Sequence, residues 1–147
     1  MFDNLKYPIL NEDSKESVLR NAYLYACHKD IEVIKPGNVH INSPHHDTTA
    51  SDYLISSINS GSELFHEEYS LGDRILKAVI ATRNETSTNT NLGIIMLCAP
   101  IIHALMEYKG LDLREAIIKA IDDATPDDTV KICKAINISS PGGLGDA

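Results

Sequence analysis

Leu92-Gly-Ile-Ile-Met-Leu-Cys-Ala-Pro-Ile-Ile-His-Ala-Leu-Met-Glu-Tyr108 decides the fold class. The run is apolar nearly all round, which in a helix means a central position. Pro100 removes one backbone donor and frees the Met96 carbonyl, so a kink is expected there. His103 reads as a core or groove histidine, and Gly110 stops the helix. Working outward, Leu113, Ala116, Ile117, Ala120, Ile121 and Ala124 recur at helical spacing over Asp112–Ala124. Thr125 then caps a sixth helix with Pro126 at its first position, carrying Val130, Cys133 and Ile136. Upstream, Ser14 caps a helix to about His28, with Val18, Ala22, Tyr25 and Ala26 on one face. A second helix, Ala50 to about Ser60, gathers Tyr53, Leu54 and Ile58. After a loop over 61–70, a third runs from Leu71 to about Arg83 with Leu71, Ile75, Val79 and Ile80 together. The chain reads as a single all-α domain, a helical bundle of about six helices around an apolar central helix. The one competing strand signal is IEVIKPGNVHI, where Pro36-Gly37 suits a type II turn and a short hairpin.

Composition narrows the function classes. The 147 residues hold 13 Lys plus Arg against 21 Asp plus Glu, a net charge of −8. That length suits one core burying roughly 70% of the unfolded chain's surface. No two basic residues are adjacent, and none lies between Lys35 and Arg74, so the basic stripe that nucleic acid requires is missing. The central run falls short of the roughly 20 apolar residues of a membrane span. Cys27, Cys98 and Cys133 are odd in number, widely spaced and without a CxxC pair, which fits free buried thiols in a reducing compartment. With no signal-peptide pattern at its start, the chain is expected to be cytoplasmic.

Three polar, glycine-rich segments exceed what plain linkers need. The first is Glu32-Val-Ile-Lys35-Pro36-Gly37-Asn38-Val39-His40, followed by His45-His46-Asp47. The second is Thr88-Asn89-Thr90-Asn91-Leu92-Gly93. It places Thr90 or Asn91 at the N-cap of the apolar helix, whose unpaired N–H groups attract anions, with Gly93 leaving the backbone open. The third is Ser140-Pro141-Gly142-Gly143-Leu144-Gly145, a row of residues able to aim backbone N–H groups at a ligand or to form a loose end. The adjacent His45, His46 and Asp47 lack zinc-ligand spacing; Mg²⁺ held by Asp47 and ligand phosphates is the better expectation. Asp122-Asp123 and Asp127-Asp128 read as a solvated helix junction.

In this order the segments resemble the triphosphoribosyl-dephospho-CoA synthase family, over about Ala22 to Gly145. The resemblance rests on KPGNV at 35–39, TNTNLGII at 88–95 and Ala135-Ile136 leading to PGGLG at 141–145. Glu32 and Gly72-Asp73-Arg74-Ile75 match as well. It implies a transferase that moves the triphosphoribosyl group of ATP onto 3′-dephospho-CoA and releases adenine. It implies too that this chain is the N-terminal half of a longer fold, joined by its missing C-terminal half or by a second copy as a homodimer. On that basis Glu32 or Asp47 is the carboxylate base, Asp47 also the Mg²⁺ ligand, and Lys35 and Arg74 are phosphate contacts. Asn38, Thr88, Asn89, Thr90 and Asn91 orient ribose and phosphate oxygens. Gly37, Gly93, Pro141, Gly142, Gly143 and Gly145 allow close approach to the backbone. The alternatives are a half-domain that binds a nucleotide, CoA or a partner without turnover, and an N-glycosyl hydrolase in which water replaces the acceptor.

Overall fold

The computed structural model describes residues 14–34 and 48–141. Six α-helices run through them: α1 (Lys15–Glu32), α2 (Ala50–Leu64), α3 (Leu71–Glu85), α4 (Leu92–Glu107), α5 (Leu113–Asp122) and α6 (Pro126–Ser139). The all-α expectation holds, and the hairpin alternative around Pro36-Gly37 lies outside the described residues. Most helix starts follow from their caps. The Ser14, Thr49, Ser70, Asp112 and Thr125 side chains each accept a backbone N–H of the first turn, which satisfies a donor the helix itself cannot.

Two helices run past their expected ends. α1 continues to Glu32 because Ile31 packs with Ala50 and Leu54 of α2. α2 passes through Gly61 to Leu64, although glycine weakens helices. A Cβ at Gly61 would lie 3.4 Å from the Tyr23 ring, an ordinary van der Waals contact, so the helix continues here through its packing on α1 and not because only glycine fits.

The core joins Tyr23, Leu24 and Cys27 of α1 to Leu64, Phe65, Leu71, Ile75, Ala78, Val79, Ile95, Ala99, Ile102 and Ala135. This corrects the face expected for α1: Val18, Ala22, Tyr25 and Ala26 are all exposed. That helix has apolar residues on two sides, so periodicity alone chooses the wrong one. Of the expected α6 positions, Val130 and Cys133 are exposed and Ile136 is half-buried, while Ala135 and Ser139 go inside. α4 continues through Pro100 and touches α1, α2, α3 and α5. Ile95, Ala99, Ile102 and Ala104 are buried, yet Leu97 is 74% exposed, so the helix is covered on only part of its circumference. Cys27 is buried, Cys98 half-buried and Cys133 exposed. Burial pushes the Cys27 thiol up to about 12, which makes it inert at neutral pH.

Polar clamps set the helix directions. Tyr23 Oη lies 2.7 Å from Ser60 Oγ, and Lys15 Nζ donates to the Leu105 carbonyl at 3.0 Å, so α1 runs antiparallel to α2 and α4. The Arg74 side chain is wholly buried and donates to the Leu64 and His66 carbonyls, His103 Nδ1 and Glu107 Oε1. This ties α3 antiparallel to α4 and closes the α2–α3 turn. Accepting at Nδ1 places the His103 proton on Nε2; burial and the Arg74 charge lower its pKa and keep it neutral.

The Asp127-Asp128 pair is not simply a solvated junction, because Asp128 is buried. Its Oδ1 accepts from Ser70 Oγ at 2.6 Å and Gly72 N at 2.8 Å; its Oδ2 accepts from Thr125 N at 2.9 Å and Thr125 Oγ1 at 2.7 Å. A Cβ at Gly72 would meet Asp128 Cα at 2.5 Å, so only glycine fits this crossing. Lys131 Nζ adds a 2.9 Å ion pair to Asp73. α3 and α6 therefore start together and run parallel.

Burial opposes ionisation of Asp128, but the bonds from Ser70, Thr125 and Gly72 prevail and hold its carboxyl well below the ordinary 3.8. A depressed folded-state pKa adds stability above the ordinary value and loses it as pH falls through the folded one. Asp128→Ala should cost about 2–4 kcal/mol at neutral pH, because several buried donors lose their acceptor. Urea unfolding at stepped pH should show that deficit constant down to about pH 5 and narrowing below it.

Candidate functional site

The helix directions bring the motif segments to one end of the bundle. α1 ends there at Glu32, α3 ends near Arg83, α4 begins at Leu92 and α6 ends at Ser139. Residues 35–47 join Ile34 to Thr48, so their attachment points belong to the same end. Lys35, Gly37, Asn38 and Asp47 of that segment lie outside the described residues, as do Gly142, Gly143 and Gly145, which continue from Pro141.

Within Thr88–Gly93 the labour is divided. Asn91 stands at the α4 N-cap position, but its side chain makes no capping bond. Instead Asn91 Nδ2 donates to the Ser56 carbonyl at 3.2 Å and to Ser60 Oγ at 3.1 Å. Ser60 Oγ gives its own proton to the Ser56 carbonyl at 2.6 Å, so it accepts from Asn91 and from Tyr23 Oη. Burial raises the Tyr23 pKa well above its ordinary value and keeps this phenol a donor. Thr90 Oγ1 lies 2.6 Å from Ser56 Oγ, whose proton goes to the Asp52 carbonyl, so Thr90 donates. Thr90 and Asn91 are thus buried fasteners of the loop to α2.

Asn89 does the capping from two residues before the N-cap: its Oδ1 accepts from Leu92 N at 3.2 Å. Its NH₂ has no partner among the described residues. Gly93 is exposed, and a Cβ placed there would meet nothing within 4 Å, so the backbone of the first turn is open.

A cavity of about 370 Å³ lies where the second and third segments meet, lined by Arg83, Ser87, Thr88, Asn89, Ser139 and Ser140. Thr88 and Asn89 belong to the expected set, and Pro141 follows directly on Ser140. Arg83 was not in that set. In sequence it looks like a basic residue suiting the last turn of a helix, and its nearness to Ser139 is a tertiary fact. Arg74, expected as a phosphate contact, spends four of its five N–H groups on protein acceptors in the interior.

Glu32 is exposed and pairs with Lys29 and, at 3.9 Å, with His28. The bond from Lys29 lowers its pKa, so the carboxylate is ionised at neutral pH. Among the described residues no three His, Cys, Asp or Glu gather as a metal site. The oxygens at this end are hydroxyls, amides and the carboxylates of Asp30, Glu32, Asp52 and Glu85, a hard-donor set that suits a cation arriving on phosphates.

A family model described as ATP:dephospho-CoA triphosphoribosyl transferase matches residues 16–147. No curated protein and no solved structure matches the chain.

The two asparagines should separate on substitution. Asn91→Ala should lower stability by about 1–3 kcal/mol, since it strips donors from a buried network. Asn89→Ala should cost only about 1 kcal/mol, the value of a helix cap. Urea midpoints of the two variants check the order.

Proposed function

Because the chain belongs to the ATP:dephospho-CoA triphosphoribosyl transferase family, we propose that it moves the triphosphoribosyl group of ATP to 3′-dephospho-CoA and releases adenine. The observation carrying this reading is the convergence of the Glu32, Thr88–Gly93 and Ser139–Pro141 segments at one end of the bundle. The bond between ribose C1′ and the adenine nitrogen breaks, and a bond forms from C1′ to the 2′-hydroxyl oxygen of the acceptor. Adenine leaves with the electron pair and takes up a proton, while the hydroxyl proton passes to a carboxylate. Charge at C1′ then resembles an oxocarbenium ion, which a nearby carboxylate stabilises.

Glu32 and Asp47 are the candidates for that carboxylate. The bond from Lys29 lowers the Glu32 pKa and so weakens it as a base, which suits charge stabilisation more than proton uptake. Lys35 is proposed to contact phosphate and Asn38 to orient ribose and phosphate oxygens. Mg²⁺, arriving on the triphosphate and held by Asp47, would neutralise phosphate charge. The Asn89 NH₂ and the backbone at Gly93 are proposed to donate to ribose or phosphate oxygens, a reading supported by the use of Asn89 Oδ1 in the cap and the open space at Gly93.

The test is adenine release from ATP and Mg²⁺ with and without dephospho-CoA. Release that requires the acceptor is expected. Release without acceptor would point to an N-glycosyl hydrolase, and binding without release to a non-catalytic module. Asn89→Ala should cut acceptor-dependent release at least about 10-fold, a loss equivalent to about 1.4 kcal/mol at the barrier. Its thermal midpoint should fall by only a few degrees, in proportion to the lost cap.

A further inference from the structure

We infer that the cavity between the C-terminal ends of α3 and α6 seats the phosphate chain of a nucleotide, with Arg83 as its charged contact. This rests on the proposed transferase reading and adds to it where the phosphates lie. Arg83 is half-buried and has no hydrogen bond or ion pair to another described residue. Arg20, Lys77, Lys109, Arg114 and Lys134 are also without a side-chain partner among the described residues, but of these cations Arg83 alone lines this cavity. The described lining of the cavity contains no carboxylate that could take the guanidinium. A planar guanidinium free to present two parallel N–H groups matches phosphate oxygens bidentately.

The rest of the lining supplies donors. Ser87, Thr88, Ser139 and Ser140 carry hydroxyls. Asn89 accepts the Leu92 N–H through its Oδ1, which leaves its NH₂ as the available group. Helix C-termini normally repel anions, so the Arg83 cation must outweigh the two that end here, whose capping bonds reach only the first of the terminal carbonyls. Ser140 N donates to the Ile136 and Asn137 carbonyls, and Thr86 donates to the Thr82 carbonyl through both N and Oγ1. Ser140 has φ 46° and ψ 57°, a left-handed conformation unfavourable for serine. It turns the chain beside the cavity just before the 141–145 segment. About 370 Å³ falls within the range of small-molecule sites, about 300–1,000 Å³.

Calorimetry on the full chain with inorganic triphosphate as the probe tests this. The wild-type protein should bind it, Arg83→Gln should weaken binding about 10- to 100-fold, and Arg83→Lys should restore part of the loss. Ser87→Glu, at an exposed position, should also abolish binding by repulsion and serves if Arg83→Gln fails to fold. Adenosine binding should be unchanged in every variant. Parallel titrations with ATP and dephospho-CoA, whichever Arg83→Gln weakens, identify the phosphate source. A wild-type protein that does not bind triphosphate, or variants that bind it normally, would overturn the inference. Triphosphate binding that needs Arg83, in a protein releasing no adenine, would instead overturn only the transferase reading.

Discussion

The contact of the Asp128 carboxylate with the backbone of Gly72 sets the arrangement of the end that carries the sequence motifs. It pins the first turn of α6 onto the first turn of α3 with both helices pointing the same way. Helices of equal rise that start level stay level. Arg83 lies eleven residues beyond Gly72, and Ser139 lies eleven beyond Asp128. Each is about 16 Å further on, at the rise of 1.5 Å per residue. The cavity between them is therefore a consequence of a contact at the far end of both helices. A one-residue slip at Gly72 would turn each side chain about 100° and separate Arg83 from the serines.

A second set of bonds holds the loop before α4. Ser56 and Ser60 are buried, and together with Thr90, Asn91 and Tyr23 they form a network in which the named hydroxyl and amide donors find acceptors. Satisfied networks of this kind rigidify their surroundings because a missing partner is costly in a low dielectric. Two residues of the Thr88–Gly93 stretch are consumed in this way, which frees Thr88 and Asn89 to face the cavity. Polar residues in one short motif thus divide between holding and presenting.

Arg74 illustrates how easily a charged residue can be misjudged from sequence. It sits in a stretch that resembles the family, yet its guanidinium satisfies the carbonyls that end α2 and holds His103 in one tautomer. A buried cation with hydrogen-bonded partners is structural unless it faces a cavity. Arg83, nine residues on and so on the opposite face of α3, lines one. The apolar faces tell a similar story. Leu97 on α4 and Leu113 and Ile121 on α5 are exposed, although the same pattern in sequence suggests core. Of α5, only Ala116 and Ala120 are fully buried, against Ala104 of α4.

Six helices, most of their caps, the stops near Gly110 and Thr125 and the order of the three polar segments were legible in the sequence, because capping and periodicity act over a few residues. Family membership was legible for the same reason: motifs are local strings. The buried face of α1, the passage of α2 through Gly61 and the roles of Arg74, Arg83, Asp128, Thr90 and Asn91 were not. Each depends on which helix lies alongside, and hydrophobic pattern says little about that when apolar residues occupy two sides or when serines and an aspartate fill the interior. The sequence by itself determined the helices and named the family. The tertiary structure alone decided which polar groups were used up in packing and which were left to meet a ligand, because hydrogen-bond partners and burial come from segments distant in the chain.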